Sequence, residues 1–201
     1  LVEPDVPAPA HAKQAAIDAI NNDISHYVPT PGFPALRQAI AETINKDLAP
    51  YPVRPYNANE IVVSVGAKQA ICNAIEALIG PGDEVITTPI TFAASANCVR
   101  YVGGTVVFAD IDEKTYNIDP NEVRKHITPK AKAIIPVDFT GQPVDIDEMM
   151  SIANEHNLVV IEDGAHSLGA TYKGRKVGQT AHMTMFSFHP VKPVTTAEGG
   201  M

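Results

Sequence analysis

A lysine and an acidic pair are the residues of this sequence whose types and spacing could most readily do chemistry. Lys192 follows the run Phe-Ser-Phe-His-Pro-Val at 186–191, and Glu162 and Asp163 close an apolar run upstream. A lysine amine on a rigid element can form a Schiff base, and a carboxylate can keep a pyridinium nitrogen protonated. Placed together at the ends of buried strands, these groups predict a site for pyridoxal phosphate (PLP). Lys192 taken alone is better explained as a solvated surface group.

The part of the chain that must position these groups is an alternation of apolar runs and helical stretches. The predicted strands are 61–64, 84–88, 105–111, 131–137, 158–162 and 183–188. Apolar residues recur at helical spacing between several of them, and a hairpin turn is predicted at 172–176. This pattern is typical of βαβ units. We therefore expect an α/β fold, a three-layer sandwich with a mostly parallel sheet.

The first 55 residues differ from the rest because repeated prolines interrupt two short helical patterns, near 10–21 and 34–47. We therefore divide the chain into residues 1–55, an N-terminal arm with helices, and residues 56–201, a partial PLP-binding large domain. The chain begins at Leu1 and stops at Met201 within what we expect to be continuing structure, so a truncated large domain is predicted.

Ligands of open α/β sheets bind where the strands end, so the loops after the strands are the places to look for a site. Gly66, Ala67 and Lys68 open a helix whose free N–H groups could bind a phosphate, although an ordinary helix start fits as well. Phe92 could cover a planar ring, or it could be a core phenylalanine. Asp163 could instead cap the next turn.

Two further candidates follow the later strands. His166 lies three residues after Asp163 and could meet a phenolic oxygen of the cofactor. Ser187 lies in the run that leads to Lys192 and could contribute to the same site. The predicted cofactor site therefore draws on four separate loops.

Composition narrows the class of partner. The formal charge of −8, without an offsetting cluster of Lys and Arg, argues against a nucleic-acid or anionic membrane surface. Cys72 and Cys98 lie in apolar segments without metal-ligand spacing, which favours buried thiols in a reducing compartment and no metal site. No apolar run approaches the ~20 residues of a membrane span. We expect a cytoplasmic protein that acts on small molecules.

The segment from about residue 82 onward resembles the DegT/DnrJ/StrS family of PLP-dependent sugar-nucleotide aminotransferases. The resemblance rests on four runs of residues: 88–97 (TPITFAASAN), 140–143 (TGQP), 161–163 (IED) and 186–193 (FSFHPVKP). It is closest to the branch that aminates a UDP-linked 4-keto sugar in the formation of pseudaminic acid.

That resemblance implies a role for each candidate residue. Lys192 would hold the cofactor as a Schiff base and move the substrate proton, and Asp163 would keep the ring nitrogen protonated. His166, where many members carry glutamine, would face the ring hydroxyl, and Phe92 would stack on the ring. The phosphate would be held by Ser187 and by the loop formed by Gly66, Ala67 and Lys68.

Residues 1 to about 85 resemble instead class I aspartate-type aminotransferases, through the runs 3–5 (EPD), 27–32 (YVPTPG), 36–37 (LR) and 66–70 (GAKQA). The chain is therefore interpreted as a composite of two branches of one fold type, with a junction near 81–85. Tyr27 resembles the tyrosine that reaches the phosphate of the neighbouring subunit, which implies a homodimer.

Together these features predict a PLP-dependent aminotransferase that transfers an amino group from glutamate to a UDP-linked 4-keto sugar. An aspartate-type amino-acid aminotransferase and a truncated PLP-binding module without turnover remain alternatives. A lyase or dehydratase of the same family is disfavoured because such variants often lack the lysine. A Rossmann dehydrogenase is disfavoured because no G-x-G-x-x-G follows the first predicted strand.

Overall fold

A computed structural model describes residues 7–50 and 54–201 of this chain. Within these residues the α-helices are α1 (Ala10–Asn21), α2 (Pro34–Leu48), α3 (Ala67–Leu78), α4 (Ala94–Tyr101), α5 (Pro120–Lys125) and α6 (Ile146–His156). The strands are β1 (Glu84–Thr87), β2 (Thr105–Phe108), β3 (Ala131–Ile135), β4 (Val159–Asp163), β5 (Thr171–Tyr172), β6 (Arg175–Lys176) and β7 (Met183–Met185). The two predicted N-terminal helices are thereby confirmed as α1 and α2.

A parallel sheet forms the centre of the structure. Its strands lie in the order β2-β1-β3-β4-β7, and every neighbouring pair among them is parallel. The predicted hairpin is also found, since β5 and β6 pair antiparallel with Tyr172 opposite Arg175. Because all five sheet strands run in one direction, their carboxyl ends meet along one edge, where the predicted site residues were placed.

Helices cover both faces of the sheet, as the alternation of side chains requires. On β1, Val85 packs against α3 and α4, while Ile86 packs with α5 and α6. On β3 the same alternation places Ile134 in the core with α5 and α6 and Ile135 in the other core. Two apolar cores on opposite faces make the three-layer α/β sandwich that the sequence predicts.

The prediction of a first strand at 61–64 is wrong, because these residues do not form a strand of this sheet. Val63 donates its N–H to the carbonyl of Pro31, and Ser64 forms one antiparallel bridge with Gly200. Residues 199–201 lie between this run and residues 186–188, since Phe186 and Phe188 bond to Met201 and Gly199. The backbone groups that a sheet strand would use are therefore taken up by other partners.

The last predicted strand, 183–188, is shorter than expected for the same reason. β7 ends at Met185, where pairing with β4 stops and antiparallel pairing with residues 199–201 begins. The other four predicted strands are found with small differences at their ends. Boundaries of this kind depend on the partner strand more than on the local sequence.

The N-terminal helices are attached less firmly than the rest. None of the described side chains of α1 is buried, whereas α2 buries Ala41 and Leu48. Arg37 of α2 donates to the carbonyl of Ile61 over 2.8 Å, and Asn45 exchanges two hydrogen bonds with the backbone of Tyr56. Among the described helices, none is long and apolar enough to cross a bilayer.

Candidate active site

A cavity of about 690 Å³ opens at the carboxyl edge of the sheet. Eight of the nine predicted site residues line it: Gly66, Ala67, Lys68, Phe92, Asp163, His166, Ser187 and Lys192. They come from four separate loops, as the sequence predicted. Tyr27, the ninth, is fully exposed on the segment between α1 and α2 and is not among the residues that line the cavity.

The glycine loop forms one wall of the cavity through the start of α3. Gly66 is the residue before α3, and no described side chain caps the first turn of this helix. The N–H groups of the first turn of a helix have no partner within the helix, and together with the helix dipole they favour an anion. This wall can therefore bind a phosphate group.

Gly200 allows the C-terminal segment to pass close behind that loop. A Cβ atom at Gly200 would lie 2.4 Å from the amide nitrogen of Ala67 and from the carbonyl carbon of Gly66. Any larger residue would push the loop or the segment aside. Glycine at this position therefore sets the geometry of this wall.

Asp163 ends β4 and is buried at the base of the cavity. Its Oδ2 accepts a hydrogen bond from the hydroxyl of Ser95 over 2.8 Å, and its Oδ1 accepts one from the N–H of Ala165 over 3.2 Å. Burial raises the pKa of the Asp163 carboxyl, and these two hydrogen bonds oppose the rise. A cationic group in the cavity would also oppose this rise, and the ionised carboxylate would stabilise the cation.

Lys192 and His166 both tend toward their neutral forms. Burial lowers the pKa of the Lys192 ammonium, against the opposing charge of Asp163. Burial also lowers the pKa of His166, and the nearby charge of Lys192 adds to this effect. A lysine with a lowered pKa has a larger share of free amine at neutral pH, which is the form that attacks a carbonyl carbon.

Phe92 and Ser187 complete the cavity from two sides. Phe92 precedes α4, and its ring is exposed where it meets the cavity. Ser187 is buried just after β7 and bridges to Gly200 in the antiparallel segment. The aromatic ring is thus free to cover a planar group, while Ser187 lines the same cavity as the glycine loop.

Two buried polar groups of this site were missed by sequence reasoning. Ser95, on the first turn of α4, donates to Asp163, and Asp138, just beyond β3, lines the cavity. Burial raises the pKa of Asp138 to about 6, and the charge of Asp163 adds to the rise. A polar residue at the end of a predicted strand was a signal for Asp138. Ser95 had no such signal, because its partner lies on a distant strand.

The residues present fit pyridoxal phosphate. An uncapped helix start suits the phosphate, an exposed aromatic side chain suits a planar ring, and a buried carboxylate suits a protonated ring nitrogen. Asp163 is held by two donors and lacks a cationic side chain hydrogen-bonded to it among the described residues. The amine of Lys192, which lines the same cavity, would supply the group that forms a Schiff base with it.

Comparisons with known proteins agree with this geometry. The chain is 43% identical over 175 residues to SpsC, a spore coat polysaccharide biosynthesis protein of Bacillus subtilis, covering 82% of this chain and 45% of SpsC. It is 50% identical over 123 residues to the GDP-perosamine synthase of Caulobacter vibrioides, covering 61% of this chain and 33% of that protein.

A solved structure is also similar. Helicobacter pylori PseC, an aminotransferase involved in the biosynthesis of pseudoaminic acid, superimposes with a TM-score of 0.78 and 32% identity, covering 98% of this chain and 50% of PseC. The chain thus spans about half the length of SpsC and PseC, or less.

The segment that matches the family extends across the junction predicted near 81–85 between two aminotransferase branches. The sequence profile of the DegT/DnrJ/EryC1/StrS aminotransferases matches residues 41–201, a range that begins within α2 and includes α3 and the region near Gly82. Of the runs that resemble aspartate-type enzymes, 3–5 lies outside the described residues. Since the profile covers most of the sequence and the cavity fits the cofactor of such enzymes, this chain belongs to the DegT/DnrJ/EryC1/StrS aminotransferase family.

Proposed function

We propose that this chain is the cofactor-binding part of a PLP-dependent aminotransferase that acts on a nucleotide-linked sugar. The observation that carries the proposal is the convergence of Asp163, His166, Ser187 and Lys192 with the start of α3 in one cavity. When bound there, PLP would supply an electron sink for the carbanion that forms when the substrate carbon loses its proton.

Lys192 is the proposed nucleophile and proton carrier. Its half-buried amine has a lowered pKa, so a larger share of it is the free amine that would bond to the aldehyde carbon of PLP, with water as the leaving group. With PLP and an amino substrate bound, the free Lys192 amine would take a proton from the substrate carbon and pass it to the cofactor. Lys68 also lines the cavity, but it is exposed beside the proposed phosphate wall, at the wrong edge of the ring for this attack.

Asp163 and His166 are proposed to fix the charge and orientation of the ring. Asp163 is buried and doubly hydrogen-bonded, so it can face the ring nitrogen and keep it protonated. His166 lies on the turn that follows, and its lowered pKa favours a neutral imidazole that can exchange a hydrogen bond with the phenolic oxygen.

The phosphate and the face of the ring are assigned to the remaining residues. The N–H groups of Ala67 and Lys68 and the hydroxyl of Ser187 are proposed to bind the phosphate, with Gly66 allowing the close approach. Phe92 is proposed to stack on the ring, since its exposed side chain lines the cavity.

The substrate class follows from the relatives and not from the cavity. GDP-perosamine synthase carries a nucleotide sugar in its name, and PseC is described as an aminotransferase of pseudoaminic acid formation. We propose glutamate as the amino donor and a UDP-linked 4-keto sugar as the acceptor, in a cytoplasmic homodimer. The chain spans about half of its relatives, so activity is proposed for a protein that includes the remainder of such an enzyme.

Covalent trapping tests the cofactor assignment. The purified chain is mixed with PLP, reduced with borohydride and digested, and the modified peptide is identified by mass spectrometry. We expect the adduct on Lys192, with loss of the yellow absorbance in Lys192→Ala and its retention in the matched control Lys68→Ala. An unchanged adduct in Lys192→Ala would show that another amine holds the cofactor.

A single-turnover assay separates the alternatives for activity. The PLP-loaded chain is mixed with glutamate or aspartate, and the conversion of the cofactor to its amine form is followed by absorbance. Faster conversion with glutamate supports the sugar aminotransferase, and faster conversion with aspartate supports the aspartate-type alternative. We expect little conversion by these 201 residues alone, because they span only about half of such an enzyme. Orientation of the substrate by the complete enzyme can lower the activation barrier by ~7–11 kcal/mol. A rate of about 1 s⁻¹ would contradict that expectation.

A further inference from the structure

Ser95 is a buried polar residue that is not among the groups proposed to touch the cofactor. It is 1% exposed, lies on the first turn of α4 and lines the cavity beside Asp163. Its hydroxyl donates to Asp163 Oδ2 over 2.8 Å, across 68 positions of sequence. A buried serine with a hydrogen bond to the key carboxylate is placed to act on that carboxylate.

We propose that Ser95 is a positioning residue that fixes the Asp163 carboxylate under the cofactor ring and stabilises its charge. The inference rests on the proposed function, because it concerns the partner of the ring nitrogen. With Ala165 holding Oδ1 and Ser95 holding Oδ2, neither oxygen can rotate away without losing a hydrogen bond.

Ser95 also links the carboxylate to the aromatic wall of the site. Its backbone N–H donates to the carbonyl of Phe92 over 3.2 Å, so the start of α4 fixes the end of the Phe92 loop. One residue therefore connects the group that faces the ring nitrogen with the group proposed to stack on the ring. Removing the hydroxyl should loosen the first connection and leave the backbone connection in place.

The charged surroundings of Asp163 make this hydrogen bond important. Burial disfavours the ionised Asp163 carboxylate, while the charges of His166 and Lys192 favour it. Among the groups around Asp163, the hydrogen bond from the Ser95 hydroxyl lowers the pKa of its carboxyl the most. Its loss should shift the Asp163 carboxyl toward its neutral form, which cannot stabilise a protonated ring nitrogen.

A matched control exists one strand away. Ser167 is also 1% exposed, and its hydroxyl donates over 2.5 Å to Oδ2 of Asp138, another buried carboxylate at the end of a strand. Ser167→Ala therefore removes the same kind of hydrogen bond from the same kind of partner. A general effect of losing a buried serine hydroxyl would appear in both variants.

The first measurement needs no cofactor. The side-chain carboxyls of the chain are labelled with ¹³C-aspartate, and their titration is followed by NMR in the parent, Ser95→Ala and Ser167→Ala. We expect the Asp163 pKa to rise in Ser95→Ala but not in Ser167→Ala, which removes a hydrogen bond from Asp138 instead. An unchanged Asp163 titration in a folded Ser95→Ala would overturn the proposal.

The second measurement is the dissociation constant of PLP by absorbance titration. A hydrogen bond to a charged group is worth ~1.5–3 kcal/mol, so affinity in Ser95→Ala should fall roughly 10- to 150-fold. Ser167→Ala should bind PLP like the parent, and an equal loss in both variants would overturn the proposal. If Ser95→Ala does not fold, Ser95→Cys keeps the volume with a weaker donor and should show the same shifts in smaller size.

The two measurements also separate this inference from the proposed function. A parent chain that binds no PLP refutes the proposed function, and with it the cofactor role of Ser95. A parent chain that binds PLP while Ser95→Ala binds equally well refutes the inference alone.

Discussion

The carboxyl edge of the sheet and the N-terminal helix α1 differ in which side chains they bury and which they expose. At the edge, Asp138, Glu162 and Asp163 are buried, and each accepts a hydrogen bond from a serine or threonine hydroxyl. In α1, no described side chain is buried, and Ile20 is 75% exposed. Carboxyl groups are buried at the edge of the sheet, whereas apolar side chains are exposed on α1.

The difference shows which region is stabilised by long-range contacts and which region leaves apolar side chains exposed. The edge is fixed by two apolar cores and by hydrogen bonds between distant segments. The arm carries exposed apolar residues, among them Ile17, Ile20, Ile24, Tyr27 and Val28. Substitution of a buried, hydrogen-bonded polar group lowers the free energy of unfolding substantially, whereas substitution of an exposed apolar group changes it little. Four predictions test this contrast, from the largest expected effect to the smallest.

Truncation of one isoleucine in each region should give the largest contrast. Ile75 of α3 is fully buried, so Ile75→Ala should reduce the free energy of unfolding by ~2–5 kcal/mol. Ile20→Ala in α1 should stay within about 0.5 kcal/mol of the parent. Urea unfolding of both variants measures the difference. Similar losses in both would mean that α1 is packed as firmly as the sheet.

Glu162 should make the stability of the sheet region depend on pH. Burial, with the charge of Asp138, raises its pKa to about 7, and the Thr184 hydroxyl opposes the rise. The folded state thus holds a proton that the unfolded state releases at lower pH, and this contribution to stability is lost as pH rises from about 4.5 to about 7.

Glu162→Gln isolates that effect, because it removes the charge and keeps the shape. The stability gained by this variant relative to the parent should be small near pH 4.5 and grow to at most about 3 kcal/mol at pH 8. Thermal unfolding of both proteins across this range measures it. A constant difference between them would show that Glu162 does not titrate in this interval.

Asp163→Asn should affect the site more than the fold. The substitution keeps the shape and removes the charge that faces the cofactor, so PLP binding should weaken by ~1.5–3 kcal/mol. The half-reaction with an amino donor should suffer more, because the charge matters most as the carbanion develops. Absorbance titration and single-turnover kinetics give the two values. Equal proportional losses would indicate that Asp163 only positions the cofactor.

Tyr27→Ala should have the smallest effect on the isolated chain. The side chain is fully exposed, so the free energy of unfolding should change by less than about 0.5 kcal/mol. The predicted role of Tyr27 is to reach the phosphate of a neighbouring subunit. In a dimeric preparation, PLP affinity should therefore fall while stability at low protein concentration stays the same. Unchanged PLP affinity in the dimer would contradict this role.

The sequence by itself predicted most of the helices and strands of this protein and the residues of its candidate site. Apolar runs and helical spacing predicted the layered α/β fold, because side-chain periodicity reflects which faces are buried. Lys192 and Asp163, with Gly66 at a helix start, predicted a PLP site from residue types at strand ends. The family segments around these residues added the roles that spacing alone left open.

Only the tertiary structure decided which distant groups meet. The strand order brings Ser95 to Asp163 and places Gly200 between Ser64 and Ser187, which converts the predicted first strand into a single bridge. Neither contact leaves a periodic or local signal, because both depend on how the sheet is assembled. Local sequence sets what each segment prefers, and long-range pairing sets which backbone and hydroxyl groups remain for the site.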